Sequence, residues 1–334
     1  MDTLPGNHRP SSSVRPGEFD LIQRFFASAT RARGDVALGI GDDAALVRVP
    51  EGHELVVAVD TLVAGVHFPD STDPADVGYK AMAVNLSDLA SMGAEPRWAT
   101  LALTLPDVSV DWLAAFSRGL AEAAASGAVQ LVGGDTTRGA LTISVQLLGV
   151  VPEGQALRRG GAQAGDGIYV TGTLGDGGLG LQVLQRGLEL PPRDRDFALD
   201  RLNRPRPRLA EGRALVGLAS ACIDISDGLL ADLGHILESS GLGAELDVES
   251  LPLSDTLRGV LDRVGGWSLP LTAGDDYELC FTLPRRNEAA MRARFAAAGL
   301  RATRVGTAVA GEGVSCRLAD GSVLALKHTG FRHF

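Results

Sequence analysis

A chain of 334 residues, 45% hydrophobic and with 42 glycines, is long enough for two ordinary domains and too apolar for a disordered protein. Its formal charge of −10 argues against nucleic acid or an anionic membrane surface as the main partner, but leaves polyphosphates open wherever divalent cations mediate. Lys80 and Lys327 are the only lysines, a bias of composition rather than of chemistry.

Residues 1–17, MDTLPGNHRPSSSVRPG, lack the apolar stretch of a signal peptide and read as a disordered tail. From Glu18 to Arg33, Phe19, Ile22, Phe25, Phe26 and Ala29 recur at helical spacing. ALVRV and ELVVAVD read as strands, the second ending at Asp60. Asp73-Pro74 opens a helix that Gly93 closes. RWATLALTLP is a strand, and VDWLAAFSRGLAEAAASG is an amphipathic helix ending at Gly127. AVQLVGG and LTISVQLLGVV are strands, which closes a first domain near residue 151. The polar, glycine-containing PEGQALRRGGAQAGD suits a connection. Beyond it come strand GIYVTG, a helix over 177–186, a helix after NRPRPRLAE, strand CIDIS and helix LLADLGHILESS. Strand YELCFTL, helix NEAAMRARFAAAG and closing strands such as TRVGTAVA complete the chain. Both halves, 18–151 and 152–334, mix helices with strands, an α/β or α+β class. No apolar run reaches the length of a membrane span, and Cys222, Cys280 and Cys316 form no CxxC pair, as expected of a reduced cytoplasmic protein.

Three familiar site patterns fail on their own terms. GxxxxGK[ST] is absent, which excludes a P-loop kinase. A GxGxxG at Gly175, Gly177 and Gly180 follows a strand, but Asp194 sits in PPRDRDF instead of at the end of a second strand. A tight strand-to-helix turn is the better reading, with an NAD-linked oxidoreductase as the rival. DISDG begins like a calcium loop, yet the twelfth position is His235, and the six histidines show no zinc spacing.

The aspartates are left to explain. They recur in GIGDDAALV, VDT, LSD, GGDTTRG, DISDG and GDDYE. A lone Asp after Gly is ordinarily a turn residue or a helix cap. Asp88 is harder to dismiss, because Asn85, Asp88 and Met92 share one helical stripe of an otherwise apolar segment, where a charge needs a partner. Oxygen-only ligands without His or Cys suit Mg²⁺, which takes one or two carboxylates together with waters and phosphates. The aspartates then hold magnesium, and the magnesium holds phosphate.

GEFDLIQRFF, GIGDDAAL, VDTLVAGVHF, YKAMAVNLSDLASMGAEPRW, LVGGDTTRG, GDGIYVTGTLGD, DISDGLLADLGHI and GDDYELCFT, in this order, resemble the thiamine-monophosphate kinases, of the superfamily that includes aminoimidazole ribonucleotide synthetase. The resemblance implies two α/β domains, a homodimer paired through the N-terminal sheet, and ATP in a cleft near that interface. It implies ATP-dependent phosphorylation of thiamine monophosphate to thiamine diphosphate. By position it puts magnesium ligands on Asp43, Asp60, Asp88, Asp135, Asp224 and Asp227. Nucleotide contacts fall on Gly134, Arg159 and Ser226, and substrate contacts on His67, Asp275 and Phe331. His67 reads equally as a capping residue after a turn, Arg159 as a solvated charge, and Lys80 as a salt-bridging helix residue outside the site. Three departures stand out: Ala58 and Val59 precede Asp60 where relatives can carry hydroxyls, Asp275 stands where Glu is common, and Phe331 replaces a larger or hydroxylated aromatic. No covalent nucleophile or general base is implied.

Overall fold

The computed structural model describes residues 17–326 and 330–331; the expected tail falls on residues 1–16, outside them, apart from Gly17. In the first half the elements are α1 (Glu18–Phe25), β1 (Val36–Leu38), β2 (Leu46–Val47), β3 (His53–Val63), α2 (Pro74–Ser91), β4 (Glu95–Leu105), α3 (Val110–Ser126), β5 (Gln130–Arg138) and β6 (Thr142–Pro152). A four-stranded sheet runs in the order β3-β6-β4-β5, antiparallel except for the β4–β5 pair that α3 connects. The second half contains β7 (Gly167–Thr171), α4 (Asp176–Arg186), α5 (Pro192–Asn203), α6 (Leu209–Leu215), β8 (Ala221–Asp224), α7 (Leu229–Ser240), β9 (Gly243–Asp247), α8 (Asp255–Val260), α9 (Ser268–Thr272), β10 (Leu279–Leu283), α10 (Glu288–Ala297), β11 (Ala302–Val309) and β12 (Gly313–Arg317). Its mixed sheet has the order β12-β9-β11-β7-β10-β8.

Helix α2 positions the site. Its start follows the sequence rule: Asp73 caps it by accepting from the Ala75 amide at 2.8 Å, with Pro74 in the first turn. It is buried on almost every side, because it lies on β3 and β6, against α3, and against α6 and β8 of the second half. Helices α2 and α3 meet at Gly78 and Gly119, where a Cβ would strike the Phe116 or Ala75 carbonyl. One continuous core runs from Leu21 and Leu86 through to Phe281 and Phe295, so the halves share their interior around this helix.

Three expectations need correction. The first helix ends at Phe25, not Arg33, because the following residues bind the start of β5: Thr30 Oγ1 accepts from the Leu131 amide (2.7 Å) and Gln130 Oε1 from the Arg33 amide (2.6 Å). Asp60 does not end its strand; β3 runs on to Val63, pairing Asp60 with Val145. Asp135 likewise lies within β5, opposite Ala102.

Candidate active site

A cavity of about 900 Å³ opens between the two halves, lined by Asp60 of β3, Asp88 and Lys80 of α2, Asp224 of β8 and the DISDG turn with Ser226 and Asp227. His67, Arg159, Asp275 and Phe331 also face it. Nine of the twelve expected site residues therefore meet here. The remaining three, Asp43, Gly134 and Asp135, line a second cavity of about 900 Å³ between α1, the segment before β2, and β5. In the sheet register Asp60, Val145, Leu101 and Gly134 form one row, so the two groups sit at opposite edges, three strand spacings or roughly 14 Å apart.

At the first cavity the carboxylates are partly or fully withdrawn from water, Asp60 and Asp88 half-buried and Asp224 buried. Asp88 sits one turn beyond Asn85, whose Oδ1 accepts from the Asp60 amide (3.1 Å) and whose Nδ2 donates to the Ala81 carbonyl. Burial, with Asp224 and Asp60 adding repulsion, pushes Asp88 up to about 8 against the opposing pull of Arg159. Burial also lifts Asp224 to about 6, although Ser87 Oγ donates to its Oδ2 at 2.8 Å. Asp60 is raised by burial, with His67 opposing and Asp227 adding to the rise. Carboxylates held this close resist joint ionisation unless a cation enters. Asp232, which sequence reasoning overlooked, is also raised to about 8 by burial and by Asp224 and Asp227. Its Oδ2 accepts from the Asp227 and Gly228 amides, so it caps α7 and fixes the DISDG turn. Its place four residues after Gly228, in the first turn of a helix, was the available signal.

The oxygen-only donor set fits magnesium. Among the described residues, no three His, Cys, Asp or Glu side chains form a ready-made metal cage. Magnesium takes one or two carboxylates and completes its shell with water and phosphate.

The GDDYE segment forms the far wall. Asp275 and Tyr277 both adopt left-handed backbone, φ 66° and 51°, a costly conformation for residues with side chains. It is held from several sides. The Asp275 and Tyr277 amides donate to the Ser226 and Ile225 carbonyls. The Asp276 carboxylate accepts from the Gly175 amide at 2.6 Å and from Gly177 at 3.1 Å. Those amides, at the start of α4, are the ones a dinucleotide pyrophosphate would need. The GxGxxG is thus a strand-to-helix turn filled by the protein's own carboxylate, Gly175 supplying φ 84°. Next in sequence, fully buried Glu278 receives Arg201 (3.0 Å), both arms of Arg208 (2.5 Å each) and Thr171 Oγ1 (2.7 Å).

Other expected residues have mixed positions. His67 Nδ1 accepts from the Val63 amide at 3.0 Å, so it closes a turn as well as facing the cavity. The Phe331 amide donates to the Asp227 carbonyl, holding this aromatic at the rim. Lys80, set aside in the sequence, is buried in the wall and ion-pairs with Asp275 Oδ1 at 2.7 Å. It salt-bridges as expected, but inside the site.

Fold and site define the class first. The AIR synthase related protein family matches in both parts, its N-terminal domain over residues 41–151 and its C-terminal domain over residues 163–319. Within that class the chain is 48% identical over 319 residues to thiamine-monophosphate kinase of Escherichia coli strain K12, covering 95% of this chain and 98% of the relative. The crystal structure of thiamine-monophosphate kinase from Stenotrophomonas maltophilia K279a superposes with a TM-score of 0.84 at 46% identity, over 92% of this chain and 98% of that one. A structure of AaThiL complexed with AMPPCP and TMP gives 0.76 at 31% identity, over 97% and 100%. The chain belongs to the thiamine-monophosphate kinase family and is a thiamine-phosphate kinase.

Proposed function

We propose that the protein transfers the γ-phosphoryl group of ATP directly to the phosphate of thiamine monophosphate, giving thiamine diphosphate as the last step of its biosynthesis. The carrying observation is one cavity lined by half-buried Asp60 and Asp88 and by buried Asp224, from three separate elements, with Asp227 beside them. Asp43, Asp60, Asp88, Asp135, Asp224 and Asp227 would hold magnesium, which when bound neutralises phosphate charge and aligns donor with acceptor. Gly134, Arg159 and Ser226 would contact the nucleotide, and His67, Asp275 and Phe331 the acceptor. The AaThiL complex with AMPPCP, an ATP analogue, and TMP supports both substrates. A phosphate monoester, with a second pKa of about 6, is already ionised near neutrality and needs no general base. Arg159, close enough to Asp88 and Asp224 to favour their ionised forms, supplies fixed positive charge at the same end.

We assign residues 18–151 to nucleotide and magnesium binding and to dimerisation, and 152–334 to the second domain. Strands β4 and β6 lie at the centre of the N-terminal sheet, so pairing across a homodimer would fall to its edges β3 and β5. Leu55, Val57 and Val59 alternate along β3 on the side away from α2 and are exposed, as a covered dimer face would require. By register Asp135 lies on that same side, in one row with Thr61, Ser144 and Ala102. No helix of the described residues is long and apolar enough to cross a membrane, and all three cysteines are buried free thiols, in keeping with a cytoplasmic enzyme.

The test is ADP and thiamine diphosphate formation by purified protein with ATP, Mg²⁺ and thiamine monophosphate. Free thiamine should not be phosphorylated, because the proposed transfer takes an already ionised phosphate oxygen as its acceptor and assigns no residue to deprotonate an alcohol. Comparable turnover of both acceptors would refute direct transfer to a phosphate.

A further inference from the structure

Among the groups lining the carboxylate cavity, one cation is buried and committed to a single partner. Lys80 lies on α2, 4% exposed, with its ammonium 2.7 Å from Asp275 Oδ1. The Tyr277 hydroxyl approaches the same oxygen at 3.4 Å. Asp275 stands on a left-handed backbone position, in a segment that the Asp276 cap and the Glu278 ion network fix on its C-terminal side. The backbone therefore sets where the carboxylate begins, but a short side chain on a strained residue still has rotamer freedom toward an open cavity. The ammonium removes that freedom.

From this geometry we propose that Lys80 is a positioning residue for the acceptor: it holds the Asp275 carboxylate in its binding pose. An ion pair with one buried partner is weak evidence of stabilisation, since desolvation of the Lys80 ammonium offsets the attraction, whereas fixing one geometry is a role such pairs do serve. A thiamine phosphate carries a cationic thiazolium and an anionic phosphate on one molecule. Asp275 meets the cationic part only if its carboxylate is aimed at it, and the 2.7 Å contact with Lys80 fixes that aim. The pairing also balances one negative charge of the cavity, as Arg159 does for Asp88 and Asp224. The inference rests on the reading that this cavity binds the acceptor through Asp275.

Steady-state kinetics and thermal melts on Lys80→Met, Lys80→Arg, Asp275→Asn and the Lys80→Met/Asp275→Asn double variant test it. Lys80→Met should raise the KM for thiamine monophosphate at least ten-fold while the KM for ATP stays within two-fold. Lys80→Arg, which keeps the charge but not the compact ammonium, should fall between it and the wild type. The double variant should be no worse for acceptor KM than the worse single variant, because both changes break one contact. An unchanged acceptor KM in Lys80→Met, an equal loss of both KM values, or multiplying effects in the double variant would overturn the role. Should Lys80→Met fail to fold, Lys80→Arg carries the test, an acceptor KM shifted three- to ten-fold being required and an unshifted one being refutation. A wild-type protein that forms no thiamine diphosphate would overturn the functional reading and this role together, whereas normal wild-type turnover with an unaffected Lys80→Met overturns only the latter.

Discussion

Replacing Asp88 with Asn should make the metal-free protein more stable and the enzyme inactive. Asn keeps the shape of the side chain and removes the ionisable group that Asp224 and Asp60 oppose. The folded protein raises Asp88 from 3.8 to about 8, so at pH 7 the folded chain holds a proton that the unfolded chain has released. Stability from this group is therefore complete below about pH 4 and falls as pH rises toward 8. At about 1.4 kcal/mol per pKa unit, the three units between 3.8 and pH 7 set a ceiling of about 4 kcal/mol. The cavity is open to water and the Asp88–Asp224 pair shares the strain, so a gain of about 2 kcal/mol is expected, a shift of a few degrees in Tm. The gain should shrink toward pH 5. Turnover should fall by two orders of magnitude or more, since removing one electrostatic contributor to a transferring group costs about 10²–10³. Calorimetry in EDTA at pH 5 and 8, with turnover in Mg²⁺, measures both. An Asp88→Asn protein that is less stable than wild type at pH 8 yet turns over normally would refute the reasoning and make Asp88 a structural residue.

The cluster as a whole should show the same sign: with Asp88 and Asp232 near 8 and Asp224 near 6, the Tm of metal-free protein should fall from pH 6 to 8.5, and Mg²⁺ should restore more of it at pH 8 than at pH 6. A pH-independent Tm over that range would count against mutual repulsion. Glu278→Gln should cost about 2–4 kcal/mol by urea unfolding, because it leaves buried Arg201 and half-buried Arg208 with only the longer contacts to Asp176 and Glu211; a loss under 1 kcal/mol would show that the Glu278 charge does not hold this network. Val59→Asp should turn a dimer into a monomer in light scattering at micromolar concentration without changing the circular dichroism, and an unaffected dimer would move the interface away from β3.

What could be read from the sequence was whatever depended on local pattern. The α2 boundaries followed from Asp73, Pro74 and Gly93, and α3 closed at Gly127, because caps and breakers act within one turn. Asp88 could be singled out since a charge on an apolar helical stripe is anomalous at any depth. What escaped depended on tertiary partners. Helix α1 stops at Phe25 because Thr30 and Arg33 find β5, a strand that begins about a hundred residues later. Helix α5 went unseen because its outward face is all charge and its buried Arg201 looks like another solvated residue. The division of the aspartates between two cavities was invisible too, since it follows from β3 and β5 lying at opposite edges of one sheet.

The distribution of charge explains how such a site can exist. A cavity of unneutralised carboxylates weakens the fold around it, so the elements that carry them must be held by something else. Asp88 rides on a helix wedged between both halves and locked to its neighbour at Gly78 and Gly119, where no larger residue fits. Asp224 ends a strand paired with β10, and the turn beyond it is held by Asp232. Asp275 is strained itself but is followed by Asp276, which fills the amide nest at Gly175, and Glu278, which anchors two arginines. For Asp224 and Asp275 the acidic residue facing the cavity is close in sequence to others that accept backbone amides or arginines: Asp232 for the first, Asp276 and Glu278 for the second. Density of aspartates alone cannot separate the two kinds. The separation comes from which carboxylates accept backbone amides and arginines and which are left facing the cavity without them.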